Sequence, residues 1–258
     1  MKIDLSNKVI LITGASSGIG YYLVKKLTSE KVRLAIISRR KELLDELIEE
    51  LNPLNQQIIA YKCDVRNFEE VKFVYNQIKN DFGQVDIAIL NSGVSYRMSE
   101  SSFEIEKARE IFDTNFFGVV NFVSVMKNDF IEKKSGTIVG VSSLADTRGF
   151  PGSGFYCASK SALTTFLESL RIELRKHNVS VITVRPGFVR TPMTDKNEFF
   201  MPFLMEPDLA AEIIIKRIKK NKPVIEFPFA LSLMVRVLKF MPRSIFEFLA
   251  SKKLKSRL

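Results

Sequence analysis

"KVILITGASSGIG", residues 8 to 20, joins an unbroken apolar run to a glycine-rich turn, and its reading decides the fold. A run without polar alternation is a strand buried on both faces, as in a parallel sheet covered by helices on each side. Directly after it, Gly14, Gly18 and Gly20 permit a tight turn, close approach of main chain to an anion, and close packing of the next helix on the sheet. The amides of Ser16, Ser17, Gly18 and Ile19 then open that helix, where the dipole favours the negative charge of a pyrophosphate. The spacing is not the G-x-G-x-x-G of the usual dinucleotide fingerprint, and a glycine-rich turn with no ligand is the plain alternative.

Working outward, "RLAIIS", "QIIAYKC", "VDIAIL", "GTIVGVS", "VSVITV" and "PVIEF" repeat the apolar strand pattern. Helical segments are expected between the strands at 18–29, 40–51, 67–81, 103–132, 154–177 and 207–220. The alternation predicts an α/β chain, doubly wound, with about seven parallel strands and helices on both faces. Ligands of such sheets bind beyond the carboxyl ends of the strands.

A chain of 258 residues, 46% of them hydrophobic, can bury one large core, and no linker-like stretch interrupts it. We expect one domain over 1–258. The two cysteines, Cys63 and Cys157, lie far apart, and His177 is the only histidine, so no cysteine/histidine metal site and no disulfide framework are expected. Cys157 reads as a small buried hydrophobe and His177 as a helix-end residue. The first residues lack the apolar stretch of a secretory signal, and a reducing cytoplasm is the expected setting.

Seven landmarks follow in order: "TGASSGIG", "CDV" at 63 to 65, "NSG" at 91 to 93, Asn115 within "DTNFFG", "VSS" at 141 to 143, "YCASK" at 156 to 160 and "RPG" at 185 to 187. Together they resemble the short-chain dehydrogenase/reductase family, over about residues 6 to 192. The resemblance implies a Rossmann fold and an oxidoreductase that moves a hydride between a nicotinamide and a carbonyl or secondary alcohol. It implies that Tyr156 and Lys160 are catalytic, that Ser143 holds the reacting oxygen, and that Asn115 holds a water linking Lys160 to solvent. Ser142 stays open as the alternative serine, and Asn115 bonding a neighbouring carbonyl as the alternative role. By the same resemblance, Asp64 and Val65 border the adenine, Asn91 and Gly93 its ribose, and Pro186, Gly187, Val189 and Thr191 the nicotinamide amide. The two longest helices resemble the family's dimer-forming pair, so a homodimer or other homo-oligomer is expected.

The chemistry asked of Tyr156 has a physical basis. Positions i and i+4 share one helix face, so Lys160 rises beside the phenol. A phenol has pKa near 10, and a nearby cation favours its ionised form, as would the positive charge of an oxidised nicotinamide. We therefore expect the Tyr156 pKa to be lowered toward the working range. The rival reading is a catalytically silent, cofactor-binding regulator or scaffold; an intact Ser143, Tyr156 and Lys160 argues against it.

At the end of the second strand, "ISRRKE" offers Ser38, Arg39 and Arg40, with no carboxylate before Glu42. An acidic residue there selects a free ribose 2′-hydroxyl, whereas Arg accepts a 2′-phosphate. NADP(H) is thus expected over NAD(H), with Arg39 as the main contact and Arg40 in solvent at the opening of the next helix. Residues 94–101, 144–155 and 192–206 are expected to shape the substrate pocket; "NEFFMPFLM" within the last suggests an apolar lid and an apolar or lipid-like substrate.

The net charge of +10 is concentrated at the end of the chain. From Ala210 onward, twelve basic residues face three acidic ones. Within the basic extension 228–258, Leu231, Met234, Val235, Leu238 and Met241 recur at helical spacing. Pro242 ends that helix, and Ser244 with Glu247 reads as a capping box for another. Arg236 and Lys239 interrupt the apolar stretch well before the ~20 residues of a spanning helix. Three readings compete: packing on the cleft or a partner subunit, peripheral contact with an anionic membrane surface, and nucleic-acid binding, which no recognition motif supports.

Overall fold

The computed structural model describes residues 2–51, 57–98 and 103–255, the last four in backbone only. Seven parallel strands form one sheet in the order β3-β2-β1-β4-β5-β6-β7. They are β1 (Val9–Thr13), β2 (Arg33–Ser38), β3 (Ile58–Lys62), β4 (Ile87–Leu90), β5 (Gly136–Val141), β6 (Val179–Pro186) and β7 (Val224–Phe227). The order reverses between β1 and β4, the switch point at which doubly wound sheets open a crevice. Each strand expected from the apolar runs is present.

Alternate residues of a strand face opposite sides, and β1 divides accordingly. Val9 and Leu11 join the core beneath α3 (Phe68–Phe82), α5 (Gly118–Lys133) and α6 (Gly154–Leu174), which contribute Ile78, Phe122, Met126 and Leu167. Ile10 and Ile12 face the core beneath α1 (Gly18–Leu27), α2 (Lys41–Leu51) and α7 (Pro207–Lys219), with Leu23, Leu44 and Ile214. Burial on both faces explains why no strand alternates in polarity. Gly140 in β5 lets α6 approach: a methyl group there would overlap the Leu167 side chain.

The helix expected over 103–132 is divided. It comprises α4 (Ile105–Phe112), a π-helical turn at Asp113–Phe117, and α5. The chain ends in α8 (Phe229–Phe240) and α9 (Arg243–Lys255). Here the capping-box expectation is corrected. The helix already begins at Arg243, so Ser244 lies inside its first turn, and Glu247 pairs with Arg243 at 3.5 Å.

Candidate active site

The carboxyl ends of the central strands open on a cleft of about 500 Å³. Its floor is the glycine turn after β1, where Gly14 and Gly18 have φ of +66° and +56°. That left-handed backbone favours glycine. Gly20, one turn into α1, lies beneath the cleft, and a methyl group on it would overlap the Gly14 carbonyl oxygen. Thr13 and Asn91 brace this turn. The Thr13 hydroxyl accepts from the amides of Asn91 and Ser92 at 2.9 and 3.1 Å, and the Asn91 carboxamide donates to the carbonyls of Thr13 and Gly14 at 3.2 Å each.

Gly14, Ser16, Ser17, Gly18 and Ile19 line this end of the cleft, together with Ser38, Arg39, Asp64, Val65, Asn91 and Gly93. Pro186, Gly187, Val189 and Thr191 also line the cleft, with the Thr191 side chain set against Gly18. The expectation for Arg40 is corrected. Although exposed, its guanidinium turns back over the glycine turn, donating to Ser16 Oγ at 3.0 Å and Ser17 Oγ at 3.4 Å. Ser38 Oγ donates to Ser16 Oγ and accepts from the Arg40 amide, which fixes that path. Arg39 leans the other way, toward Glu110 at 3.6 Å. Sequence reading also missed Thr114. Among the described residues its hydroxyl is the only buried side-chain polar atom with no protein partner, and it lines the cleft. Such an orphan is costly unless a ligand or water bonds to it. The glycine cradle, two guanidinium groups and this hydroxyl fit a phosphorylated dinucleotide.

At the far end stand Ser143, Tyr156 and Lys160. The Ser143 hydroxyl stands near enough to the Tyr156 phenol to favour its ionised form, and the Lys160 ammonium lies 5.9 Å from the phenol ring centre. Lys160 is 3% exposed and donates to the Val141 carbonyl at 2.8 Å. Burial dominates the acidities of both. It pushes the Tyr156 phenol up to about 12 despite the opposing influence of the Ser143 hydroxyl, and the Lys160 ammonium down to about 8. The expected lowering at Tyr156 is therefore reversed in the free protein: desolvation penalises phenolate more than its surroundings stabilise it.

The competing serine is otherwise engaged. Ser142 Oγ donates to the Lys160 carbonyl at 3.0 Å and meets Thr164 Oγ1 at 2.7 Å, tying β5 to α6. Asn115, fully buried in the π-helical turn, stands behind the cleft wall. Its Oδ1 accepts from the Val94 amide at 2.8 Å, and its Nδ2 donates to the Val94 carbonyl and to Ser159 Oγ. Ser159 Oγ donates in turn to the Tyr156 carbonyl. The extra residue of a π turn thus directs Asn115 to hold the loop after β4 against the catalytic helix.

Behind the triad, Asp146 pairs with Arg185 of β6, accepts from Thr164 Oγ1 at 2.6 Å, and is almost wholly buried. Arg185 also pairs with Glu226 of β7, which pairs with Arg236 of α8. This chain of charges locks the turn after Ser143 to α6 and to the C-terminal helix. Of the expected pocket segments, residues 99–101 fall outside the described residues. In the 192–206 segment Phe199 meets Phe188 at 5.8 Å between ring centres, and Arg97 lies over the Phe199 ring at 5.0 Å.

Comparisons with known proteins agree with this geometry. A family model described as short chain dehydrogenase matches residues 8–199. An uncharacterized oxidoreductase of Myxococcus xanthus is 34% identical over 249 residues, covering 96% of this chain and 98% of that protein. A short chain dehydrogenase/reductase from Burkholderia phymatum, solved with NAD, superposes with a TM-score of 0.84 at 23% identity, covering 91% of this chain and 93% of that one. An alcohol dehydrogenase from Thermococcus sibiricus, solved with 5-hydroxy-NADP, gives a TM-score of 0.77 at 25% identity, covering 86% and 95%.

Proposed function

The chain belongs to the short-chain dehydrogenase family and is an oxidoreductase, and from that premise we propose that it is an NADP(H)-dependent reductase of apolar carbonyl compounds. The observation that carries this reading is the convergence of Ser143, Tyr156 and Lys160 at one end of a dinucleotide-sized cleft.

A bound nicotinamide nucleotide supplies the hydride. The protein's part is the proton. With a phenol held at about 12 and an ammonium at about 8, the free pair at neutral pH is Tyr156-OH beside Lys160-NH3+. That is the state needed to protonate a carbonyl oxygen as its carbon is reduced, and the lysine charge favours the phenolate left behind. Ser143 donates a hydrogen bond to the same oxygen and steadies its developing charge. In the reverse direction the phenolate removes a proton from a secondary alcohol. Asn115 acts in this reading through its grip on Val94 and Ser159, which holds the wall beside Lys160, the route by which a water relay would return the proton.

Arg40 over the glycine turn and Arg39 beside it support a 2′-phosphate, with no carboxylate before Glu42 to select a free ribose. Phe188, Phe199 and Met193 support an apolar substrate beneath a lid at 192–206, within one catalytic domain. Phe117, beside α5, and Ile172 of α6 are exposed, as a homodimer packed through these helices would require. The test is NADPH consumption over a panel of medium- and long-chain ketones and aldehydes, repeated with Tyr156→Phe. Turnover that falls by about 10²-fold or more in the variant, with NADPH affinity kept, supports the reading. Tight NADPH binding with no turnover of any carbonyl would favour the silent regulator instead.

A further inference from the structure

We propose that α8 and α9 form a docking surface for an anionic membrane, with one face of α8 seated on the enzyme and the opposite face laid on the lipid. The periodicity of the segment marks Leu231, Val235 and Leu238 as one apolar stripe. In the structure Leu231 and Val235 are spent on the protein, where they pack with Leu144 and Phe188. A second stripe points outward. Phe229, Leu233, Val237 and Phe240 are 79, 52, 60 and 84% exposed, and their spacing puts them on one side of the helix. Ile245, Phe248 and Leu249 continue the exposed apolar surface along α9. This is more than scattered surface hydrophobes, because the residues are contiguous on two successive helices.

The helices are held rigidly in place. Arg148, from the turn after β5, donates to the carbonyls of Leu238, Lys239 and Met241 at the end of α8. Phe150 meets Phe246 of α9 at 6.0 Å between ring centres. Arg236 is tied through Glu226 to Arg185 and the sheet.

Charge selects the occupant. Residues 229–258 carry seven Lys or Arg and one Glu. A second copy meeting this surface across a two-fold axis would set like charges against each other. An anionic leaflet attracts Lys239, Arg243 and the basic residues beyond them while its acyl boundary accepts the apolar stripe. No helix among the described residues is long and apolar enough to cross a membrane, which fits a helix pair lying in the interface. Leu144, one residue after Ser143, touches α8, so the docked orientation sets the mouth of the substrate cleft close to the lipid.

Flotation of the full-length protein with vesicles tests the surface without cofactor or turnover, so its result is independent of the reductase reading. The vesicles are pure phosphatidylcholine or phosphatidylcholine with about 30 mol% phosphatidylserine. We expect wild type to float with the anionic vesicles at least about tenfold more than with the neutral ones, and to lose this in high salt. Leu233→Ser/Val237→Ser and, separately, Lys239→Glu should each reduce flotation several-fold, with melting temperature and NADPH binding unchanged. Equal flotation of folded variants and wild type, or no flotation of wild type on anionic vesicles, would overturn the proposal. A vesicle-free dimer that the double variant converts to monomer would overturn it in favour of a second copy.

Discussion

Replacing Lys160 with Met should make the cofactor-free protein more stable while abolishing its turnover. The ammonium is buried with one carbonyl partner, and its pKa falls from 10.5 to about 8. A depressed lysine binds its proton less well in the fold than in the unfolded chain. The penalty is therefore complete below pH ~8 and is relieved as pH rises toward 10.5. The difference corresponds to about 3 kcal/mol, taking ~1.4 kcal/mol per pKa unit. Met occupies a similar volume without charge, but leaves the Val141 carbonyl without its donor, which returns about 1 kcal/mol. A net gain of about 2 kcal/mol in a chain of this size raises the melting temperature by roughly 4 to 8 °C at pH 7. Near pH 10 the gain should have shrunk toward nothing. Circular-dichroism melts of nucleotide-free wild type and Lys160→Met at pH 7 and pH 10 measure both quantities. A variant that melts at or below wild type at pH 7, or a difference that does not change with pH, would refute the reasoning.

Two further substitutions probe what surrounds that pair. Asp146→Ala removes the paired charge of Arg185 and the Thr164 bond; breaking a buried pair costs about 3 kcal/mol, a melting-temperature loss of roughly 6 to 12 °C in thermal scans. Because the Asp146 charge helps to raise the Tyr156 pKa, both Asp146→Ala and the milder Asp146→Asn should move the alkaline limb of the kcat/KM profile to lower pH; an unmoved limb in Asp146→Asn counts against that coupling. Arg40→Ala should weaken NADPH about tenfold or more in a fluorescence titration and leave NADH unchanged. Equal weakening of both nucleotides would show that Arg40 supports the glycine turn and does not select the phosphate.

The fold was legible because its signal is redundant. Seven apolar runs can be buried on both faces in few other ways, and the glycines at 14 and 20 suit a turn that brings main chain close to main chain. Most cleft residues were legible for a related reason: in a doubly wound sheet they follow from being at the carboxyl ends of strands. What was not legible concerns direction and environment. The π turn at Asp113–Phe117 hides inside a helical pattern, since a single inserted residue leaves periodicity almost intact and is selected by the bonds of Asn115 to Val94 and Ser159. Arg39 and Arg40 are alike in sequence, and their divergence depends on Glu110 and on Ser16, which are distant in the chain.

The sign of the Tyr156 shift failed for a deeper reason. A cation four residues away is visible in the sequence, whereas the desolvation that opposes it is a property of the whole packed site. The same distinction applies to α8, a helix that is apolar around most of its circumference. Its period shows that faces exist but cannot say which one the protein covers; Leu144, Gly187 and Phe188, far back in the chain, receive Leu231 inward and leave Leu233 to something else. Residues spaced by local rules are thus readable one segment at a time, while acidity and exposure are set by neighbours that folding supplies. A buried lysine that weakens the fold and an apolar stripe that no part of the described chain covers are both departures from what stability alone would choose. Such departures mark where a protein's chemistry and its contacts are to be sought.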